Sequence, residues 1–401
     1  MFEYARHWKE KGYRIIFTGN SREIEYLISR ENFEYCDFTY MDQYTIKNAK
    51  IFFGLLIRSI ADTSFYKTRY RQFHSMQMQI DYIQKKYNVE KFFFDEHLSY
   101  LYFFFRDNKE NVLCINTKLS TTKRKGIPPL NSSLVATNKF LNIIQCELLW
   151  FLHLGKLKFQ DFKNFVVFLG KDDTFFLKRI AKKNNLNYKE NISENHMCYK
   201  GVKNVNTILI APQTIEYDFS PIPKNESYFL EKLSRNEEQL KSVEYKLLIE
   251  FITQQKKNPR TKIICCSFGT FSTKAYNLLH TFINDVVCRL NDSNLIFVIT
   301  PNYLMNKENI QENIKSFNYL PLLDFIPYID LMITHGGLGT IKECLQNNKK
   351  MIIYPLQKMT SDQPGNGARI RNKRLGLSGN LEKENTEKLL IKINQLLDRN
   401  H

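Results

Sequence analysis

The residues with the clearest chemical potential lie in one short segment, residues 331–343. The segment starts with an apolar run, continues with three glycines in four positions, and then repeats apolar residues at helical spacing. This pattern predicts a buried strand, a tight turn and the start of a helix. Glycine lets the backbone turn without placing a side chain between it and a ligand.

The start of the predicted helix is suited to an anion. Its unpaired N–H groups and its dipole favour negative charge, and phosphate is a common ligand at such sites. His335 and Thr340 add side-chain donors, Glu343 follows one turn later, and Asp362 and Gln363 come after the next strand. A tight turn without a ligand would explain the glycines alone. The additional polar residues favour a binding site.

A second polar group, Asp95-Glu96-His97, follows the strand predicted over residues 91–94. Ligands of open α/β sheets bind at the carboxyl ends of strands, so this trio is a candidate site. The alternative is a helix start, because Asp is a good N-cap residue.

The elements that must position these residues follow from hydrophobic periodicity. From residue 262 onward, strands alternate with helices, which predicts a doubly wound parallel sheet. The first half is expected to begin on a helix and to be mostly helical over 20–90 and 135–190. The predicted strands cover residues 14–18, 91–94, 112–116, 206–211, 262–267, 295–300, 317–320, 331–333 and 351–354.

The chain length of 401 residues suits two domains. Pro221 and Pro223, among polar residues, mark the boundary between them. We expect an N-terminal domain over residues 1–220, a linker over 221–239 and a C-terminal domain over 240–401.

Composition narrows the class of protein. Apolar residues make up 43% of the chain, and no apolar run is long enough to cross a bilayer. Eight scattered cysteines without a Cys-x-x-Cys pair, and the lack of a signal peptide, predict a cytoplasmic protein with reduced thiols.

The net charge of +17 permits several kinds of anionic partner. The Lys and Arg residues are spread along the chain without interleaved aromatics, which argues against nucleic acid. A solvated surface is the simplest explanation of the charge, and contact with an anionic membrane surface stays open.

Several standard sites are absent from the sequence. There is no P-loop, no complete dinucleotide fingerprint and no zinc-type His/Cys spacing. An Asp-x-Asp triplet, which could hold a divalent metal against a diphosphate, is also absent. We therefore expect no protein-held metal.

Residues 334–343, Pro355 and residues 362–366 together resemble the donor-binding signature of the UDP-glycosyltransferase superfamily, T-H-G-G-x-[GN]-[ST]-x-x-E followed by Pro and D-Q-x-x-N. Residues 267–270, Ser-Phe-Gly-Thr, resemble the S-F-G-S turn of that family. Residues 318–321, Asn-Tyr-Leu-Pro, occupy the place of its base-binding segment. The likeness is to glycosyltransferase family 1, in particular to bacterial macrolide and UDP-glucuronosyl transferases.

The resemblance implies the GT-B fold, in which two Rossmann-like domains with doubly wound parallel sheets face each other across a cleft. The first domain would bind the acceptor and the second the nucleotide-sugar donor. The implied reaction is inverting, metal-independent transfer of a hexose from a UDP-sugar, with UDP-glucose the expected donor, to a hydroxyl of a small lipophilic acceptor. No further cofactor is implied.

The resemblance also implies a role for each matching residue. Glu343 would accept hydrogen bonds from the ribose hydroxyls, and Asp362 and Gln363 would bind the donor sugar. Tyr319 would stack on the base, with the main chain at Leu320 reading its edge. The diphosphate would be held by Ser267, Thr270, His335, Gly336, Gly337, Gly339 and Thr340.

The chain departs from the family pattern at its ends. The family's general base is a His between the first strand and the first helix, and this chain starts on that helix. We therefore expect the first strand and the last crossing helix to be absent. Asp95 matches the Asp that orients the base, and His97 is the candidate substitute for the base itself. Two alternatives stay open: a membrane-lipid acceptor, or UDP-sugar binding without catalysis.

Overall fold

The structure is a computed structural model, and its chain divides into two compact units. Unit 1 comprises Met1–Arg124, Glu147–Ile210 and Pro221–Glu231. Unit 2 comprises Lys125–Cys146, Ala211–Ser220 and Lys232–His401. The structure describes residues 2–40, 49–62, 64–105, 111–197, 201–203, 205–230, 242–269, 275–301, 311–356 and 361–398.

Unit 2 contains a parallel sheet with the strand order β11-β10-β9-β12-β13-β14. Counted along the chain from β9, this is the order 3-2-1-4-5-6 of doubly wound nucleotide-binding sheets. The topology reverses between β9 and β12, which are neighbours. The strands are β9 (Lys262–Ser267), β10 (Leu295–Thr300), β11 (Ile314–Ser316), β12 (Leu331–Thr334), β13 (Lys350–Ile353) and β14 (Gly376–Ser378).

Helices pack around this sheet, and every residue of β10 and β12 is buried. Strands that are covered on both faces read as continuous apolar runs, as these do. A π-helical turn, Phe282–Val287, extends α9. The helices are α8 (Val243–Gln255), α9 (Tyr276–Thr281), α10 (Leu322–Phe325), α11 (Leu338–Gln346), α12 (Gln363–Asn372) and α13 (Thr386–Leu397), with 3₁₀ turns at Ile326–Tyr328 and Leu381–Lys383.

Unit 1 contains a parallel sheet of order β3-β4-β7-β8, a parallel pair β1-β2 and an antiparallel pair β5-β6. Its largest buried cluster surrounds the 3₁₀ helix Glu96–Phe104. The strands are β1 (Ile16–Gly19), β2 (Glu34–Asp37), β3 (Phe92–Asp95), β4 (Val112–Asn116), β5 (Ile192–Ser193), β6 (Gly201–Val202), β7 (Asn206–Leu209) and β8 (Glu226–Tyr228).

The remaining helices belong to the first 231 residues of the chain. Helix α1 confirms that the chain opens on a helix. The long helix α5 runs from unit 2 into unit 1 along the sequence. These helices are α1 (Phe2–Glu10), α2 (Arg22–Arg30), α3 (Ala49–Ala61), α4 (Ser64–Tyr87), α5 (Phe140–Val167), α6 (Asp173–Lys183) and α7 (Tyr188–Asn191), with a 3₁₀ turn at Gln213–Ile215.

Most predicted strands are confirmed, and one is wrong. The strand expected over 317–320 lies instead at β11, because pairing with β10 ends at Ser316 and the chain then turns toward Pro321. Strand β2 interrupts the region expected to be mostly helical, where pairing with β1 outweighs local helical preference. Strand β14 was not predicted.

The units differ from the expected domain limits in three places. Residues 125–146 belong to unit 2 although they were expected in the N-terminal domain, and the other two differences lie near the predicted linker. Strand β8 lies inside the predicted linker and extends the sheet of unit 1 by pairing with β7. Residues 211–220 belong to unit 2, where the Tyr217 hydroxyl accepts a hydrogen bond from the Ala136 backbone and Glu216 pairs with Arg369. Both differences near the linker arise because residues that are far apart in the sequence contact each other.

Candidate functional site

The site in unit 2 lies where β9 and β12 end side by side. Thr334, the last residue of β12, is in register with Ser267, the last residue of β9, and with Ile353 of β13. Because the strand order reverses between β9 and β12, this edge is the switch point at which doubly wound sheets bind ligands. The predicted segments 267–269 and 334–337 therefore meet at one place.

His335 packs between glycines at this edge. A Cβ atom on Gly337 would lie 2.6 Å from His335 Nε2, and one on Gly269 would lie 3.0 Å from its Cε1. Gly269 and Gly336 both have positive φ, of 73° and 86°, which favours glycine. At Gly336 a Cβ would also meet the Ile353 side chain at 2.6 Å. The glycines thus make room for the imidazole as well as for the turn.

The electrostatic surroundings favour a neutral imidazole at His335. Burial lowers its pKa, and the nearby Asp362 carboxylate and a hydrogen bond to the Ser267 backbone oppose that shift in part. The single N–H of the neutral ring is engaged by the Ser267 backbone, so His335 donates to an anion from its second nitrogen when the ring is protonated, a form that a nearby anion favours.

Among the described residues, no side chain caps the first turn of α11. Its N-cap is Gly337, which has no side chain to accept from the helix N–H groups. Gly339 is exposed, and a Cβ there would meet nothing within 4 Å. Thr340 lies half-buried beside it. Open N–H groups, the helix dipole and a neighbouring imidazole together suit an anion.

The start of α12 approaches the same turn through Asn366, a residue that we did not predict as part of the site. Its side-chain amide donates to the Gly336 carbonyl at 3.0 Å and to Asp362 Oδ2 at 2.8 Å. The Gln363 side-chain oxygen accepts from the Leu356 backbone at 2.9 Å. Asn366 therefore joins the glycine turn to the Asp362 carboxylate. Its place in the D-Q-x-x-N pattern was the available signal.

The other predicted donor-site residues lie on neighbouring elements. Glu343 is on the second turn of α11 and is 4% exposed. Tyr319 is 55% exposed and Leu320 is buried, in the segment that follows β11. Tyr319 lines a cavity of about 650 Å³, which it shares with α8 residues that include Leu248. Thr270 lies outside the described residues.

In unit 1, Asp95 and His97 have structural partners. Asp95 is the N-cap of the 3₁₀ helix, and its Oδ1 accepts the His97 backbone N–H at 2.8 Å. His97 Nε2 lies 3.2 Å from Lys118 Nζ. Because an ammonium group only donates, this contact uses the Nε2 lone pair. Asp95 therefore caps the start of a helix, as the alternative prediction for this trio stated.

A second polar cluster in unit 1 involves residues that the sequence did not single out as partners. Glu96 Oε1 lies 3.3 Å from His196 Nδ1 and also accepts the Thr121 hydroxyl. The nearby Glu226 accepts from the Thr122 hydroxyl at 2.6 Å. Burial raises the pKa of Glu226, and the Thr122 hydrogen bond partly offsets that shift.

Within the described ranges, no group of three or more His, Cys, Asp or Glu side chains is placed to hold a metal ion. No helix in that part of the chain is long and apolar enough to cross a membrane.

Comparisons with known proteins point to glycosyltransferases. A family model of the glycosyltransferase family 28 C-terminal domain matches residues 242–401, a range that includes every residue of the candidate site of unit 2. Human UDP-glucuronosyltransferase 3A2 (Homo sapiens) is 35% identical over 92 residues. That match covers 22% of this chain and 17% of the relative, so the chain spans well under two thirds of its length.

Solved structures extend the similarity to nearly the full chain. The glycotransferase of kitacinnamycin has a TM-score of 0.66 at 13% identity, covering 99% of this chain and 86% of that one. Glycosyltransferase VinC, solved in complex with dTDP, has a TM-score of 0.55 at 11% identity, covering 100% and 88%. At such identities the similarity concerns the fold. The chain therefore has the GT-B fold of these glycosyltransferases, with a parallel sheet in each of two α/β units.

Proposed function

We propose that the protein is an inverting glycosyltransferase that moves a hexose from a UDP-sugar to a hydroxyl of a small lipophilic acceptor, without a protein-held metal. We place it with the UDP-glycosyltransferases of family 1, the macrolide and UDP-glucuronosyl transferases. The observation that carries the proposal is the switch-point site of unit 2. There, His335 and the uncapped start of α11 lie beside the Asp362–Asn366 pair.

The proposed roles follow the chemistry of each group. The N–H groups at Gly336, Gly337 and Gly339, with His335 and Thr340, hold the diphosphate. Glu343 accepts the ribose hydroxyls, because a carboxylate is an acceptor-only group. The remaining donor contacts are Ser267 and Thr270 on phosphate, Asp362 and Gln363 on the sugar, and Tyr319 with the Leu320 main chain on the base.

In the proposed reaction the acceptor oxygen attacks the anomeric carbon as the bond to the diphosphate breaks. The leaving UDP gains negative charge in the transition state. The dipole of α11 already points at that charge and stabilises it without reorganising, and His335 donates to it in its protonated form. Asp95 and His97 remain candidate catalytic residues for the acceptor side.

Calorimetric titration with UDP tests the donor site. Wild-type protein should bind UDP saturably, and His335→Ala should weaken binding by roughly 10- to 100-fold, the range for a hydrogen bond to a charged group. His280→Ala, on α9 of the same unit, is the matched control and should bind as wild type. Equal binding by wild type and His335→Ala would rule out the proposed diphosphate site.

The ribose contact has its own test, which compares UDP with 2′-deoxy-UDP. Wild type should prefer UDP, since a buried carboxylate loses a partner when the 2′-hydroxyl is absent. Glu343→Ala should reduce that preference severalfold while lowering UDP affinity. An unchanged preference would place the ribose elsewhere.

A second candidate acceptor, a membrane lipid, is favoured by α5. Its exposed apolar residues recur on one helix face, and Phe151 is 73% exposed. An apolar stripe of this length commonly marks a contact surface, and amphipathic helices lie in the plane of the membrane interface. Lys156 and Lys158 are exposed on the same helix and would face anionic headgroups. The stripe comprises Leu148, Phe151, Leu152, Phe159 and Phe162.

Turnover separates these candidates from a third, UDP-sugar binding without catalysis. Release of UDP from UDP-glucose with 4-methylumbelliferone as acceptor supports a small lipophilic acceptor. Release only with lipid vesicles supports the lipid acceptor. Saturable UDP binding with no release under either condition, or with water alone, supports a binding protein.

A further inference from the structure

Helix α12 begins without the side-chain cap that its sequence offers. Its N-cap residue is Asp362, and aspartate is one of the residues that most often accept from the N2 or N3 N–H of a helix. Asp362 makes no such hydrogen bond, and its backbone lies in the helical region, at φ −78° and ψ −10°. By contrast, Asp172 at the N-cap of α6 accepts the Phe175 N–H at 3.0 Å. The exception falls on the residue for which we propose a sugar contact.

Neither of the N–H positions that Asp362 could cap is open to it. The N2 residue is Pro364, which has no N–H. The N3 residue is Gly365, whose N–H donates to the Leu130 carbonyl at 2.7 Å. Leu130 comes from the first half of the chain, but residues 125–146 are part of unit 2. A main-chain carbonyl that is distant in sequence therefore takes the place of the capping side chain.

The Leu130 carbonyl is held at this point by its surroundings. Leu130 follows two prolines, which fix their own φ angles, and it is 1% exposed. The Ser132 N–H donates to the Pro129 carbonyl at 2.9 Å, which closes a turn around Leu130. A Cβ on Gly365 would overlap the Leu130 carbonyl and lie 2.7 Å from its Cα. Because Gly365 has helical backbone geometry, it is this close contact that requires glycine there.

The Asp362 carboxylate is held instead from the next turn of α12. The Asn366 side-chain amide donates to Asp362 Oδ2 at 2.8 Å and to the Gly336 carbonyl at 3.0 Å. Arg369 Nη1 donates to the Gly365 carbonyl at 3.3 Å, so Gly365 is bound through both of its main-chain polar groups. An ionised carboxylate has about four acceptor positions. Asp362, which is half-buried, therefore keeps capacity to accept from a sugar hydroxyl.

We propose that the Leu130 carbonyl and Pro364 are positioning groups, which keep the Asp362 carboxylate off the helix and available to the donor sugar. The inference rests on the proposed function, in which Asp362 contacts that sugar. If the N2 or N3 N–H became free, Asp362 would turn back to cap α12, and the sugar would lose its acceptor. Leu130 and Pro364 thus determine the preference for a UDP-sugar over UDP, and they take no part in holding UDP itself.

Calorimetric titration with UDP and with UDP-glucose tests the proposal. The measured quantity is the Kd for UDP-glucose divided by the Kd for UDP. Asp362→Ala should raise this ratio by roughly 10- to 100-fold, the range for a hydrogen bond to a charged group. Gly365→Ala, which displaces Leu130, and Pro364→Ala, which supplies an N2 N–H, should each raise it by roughly 2- to 30-fold, the factor that corresponds to one side-chain cap. The Kd for UDP should change much less in all three.

A double variant separates positioning from a general loss of structure. In Asp362→Ala combined with Gly365→Ala, the ratio should equal that of Asp362→Ala alone, because a residue that acts through Asp362 has no effect once the carboxylate is gone. A purely structural effect of Gly365→Ala would add to that of Asp362→Ala.

Gly376→Ala is the matched control. Its Cβ would likewise overlap a main-chain carbonyl, that of Met351, but toward the amino ends of β13 and β14 and so away from the site. Urea denaturation should show a loss of stability in this variant, while the ratio of the two dissociation constants stays that of wild type.

The outcomes distinguish this inference from the function on which it rests. If wild type binds no UDP, the proposed function fails. If wild type binds UDP and Asp362→Ala keeps the wild-type ratio, the sugar contact of Asp362 fails and the inference falls with it. If Asp362→Ala raises the ratio but Gly365→Ala and Pro364→Ala do not, or if the double variant raises it further, Leu130 and Pro364 do not position the carboxylate and the donor site stands without them.

Discussion

At the scale of single residues, the neutral state of His335 has a consequence for stability. Burial lowers the pKa of His335 in the folded protein, so the unfolded chain takes up the proton more readily as the pH falls. Its contribution to stability is therefore complete above the ordinary histidine range, about pH 6.5, and is lost as the pH falls through the lower folded pKa.

We predict that wild type loses more stability than His335→Gln when the pH falls from 8 to 5. The glutamine variant lacks the group whose protonation favours unfolding. Urea denaturation midpoints of both proteins at the two pH values measure the difference. Parallel losses in the two proteins would mean that His335 titrates alike in the folded and unfolded states.

Two glycines of the same turn give a second prediction. Gly337 has φ −63°, which alanine adopts easily, so a methyl group there conflicts only with His335 at 2.6 Å. Gly337→Ala should displace the imidazole and weaken UDP binding about as much as His335→Ala. Gly339→Ala meets open space, and should gain about 0.5–1 kcal/mol of stability through helix propensity.

The same Gly339→Ala variant should nevertheless bind UDP less tightly, because its methyl group enters the space proposed for the diphosphate. Calorimetric titration and urea denaturation of both variants check the pair. A Gly339→Ala protein that is more stable and binds UDP as wild type would show that the first turn of α11 does not contact the phosphates.

Sequence spacing predicted part of this site. The Thr334–Glu343 segment is local, and its glycines, histidine and helix start were visible in the order of residues. That Ser267 lies beside Thr334 follows from a parallel sheet, which the periodicity indicated. The pairing of Glu96 with His196, 100 residues apart, depends on how a short hairpin folds back, and no local pattern encodes that.

At the scale of elements, α12 carries two ion pairs to residues 211–220 that differ in burial. Arg369 is 1% exposed and donates to Glu216 Oε1 at 3.1 Å and to the Gly365 carbonyl at 3.3 Å. Lys373 contacts Asp218 at 2.8 Å, but the Asp218 side chain is largely exposed. The two pairs join the same elements, so they form a matched comparison.

We predict that Arg369→Met destabilises the protein by about 3–5 kcal/mol, because it removes the buried cation that faces Glu216. Lys373→Met should cost at most about 1 kcal/mol, the usual value of an exposed pair. Urea denaturation of the two variants measures both. Equal, small effects would indicate that water or other groups already neutralise Glu216.

The elements that were predicted correctly are those with strong local periodicity, such as β9 and β12. The strands that were not predicted are short and depend on pairing with a neighbouring strand. Strands β2, β8 and β14 have three or four residues each and exist because β1, β7 and β13 lie beside them. Their sequences carry too few residues for a period to be measured.

At the scale of the whole molecule, the net charge of +17 and the exposed face of α5 act on the same kind of partner. An anionic bilayer would attract the charge over distances of about a Debye length and would then receive the apolar face. Neither feature alone requires a membrane, since many surfaces are basic and single exposed apolar residues are common.

We predict that the protein sediments with vesicles that contain phosphatidylserine and that Phe151→Asp combined with Phe159→Asp abolishes the binding. Salt at 0.5 M should weaken binding of wild type, because screening removes the attraction of the headgroups. The Phe53→Asp variant, exposed on α3, is the control for loss of a single apolar residue elsewhere. Absence of wild-type binding at low salt would exclude the membrane surface.

Unit 2 is built from three separate stretches of chain, which affects how it folds during translation. Glu216 leaves the ribosome 153 residues before Arg369, its buried partner. At about 5–20 residues per second, the interval is roughly 8–30 s. During that time, residues 211–220 of the nascent chain lack the surface that buries them, while the sheet of unit 1 can already form. Unit 2, for which we propose donor binding, is therefore the part of the protein whose folding must wait until Arg369 has been translated.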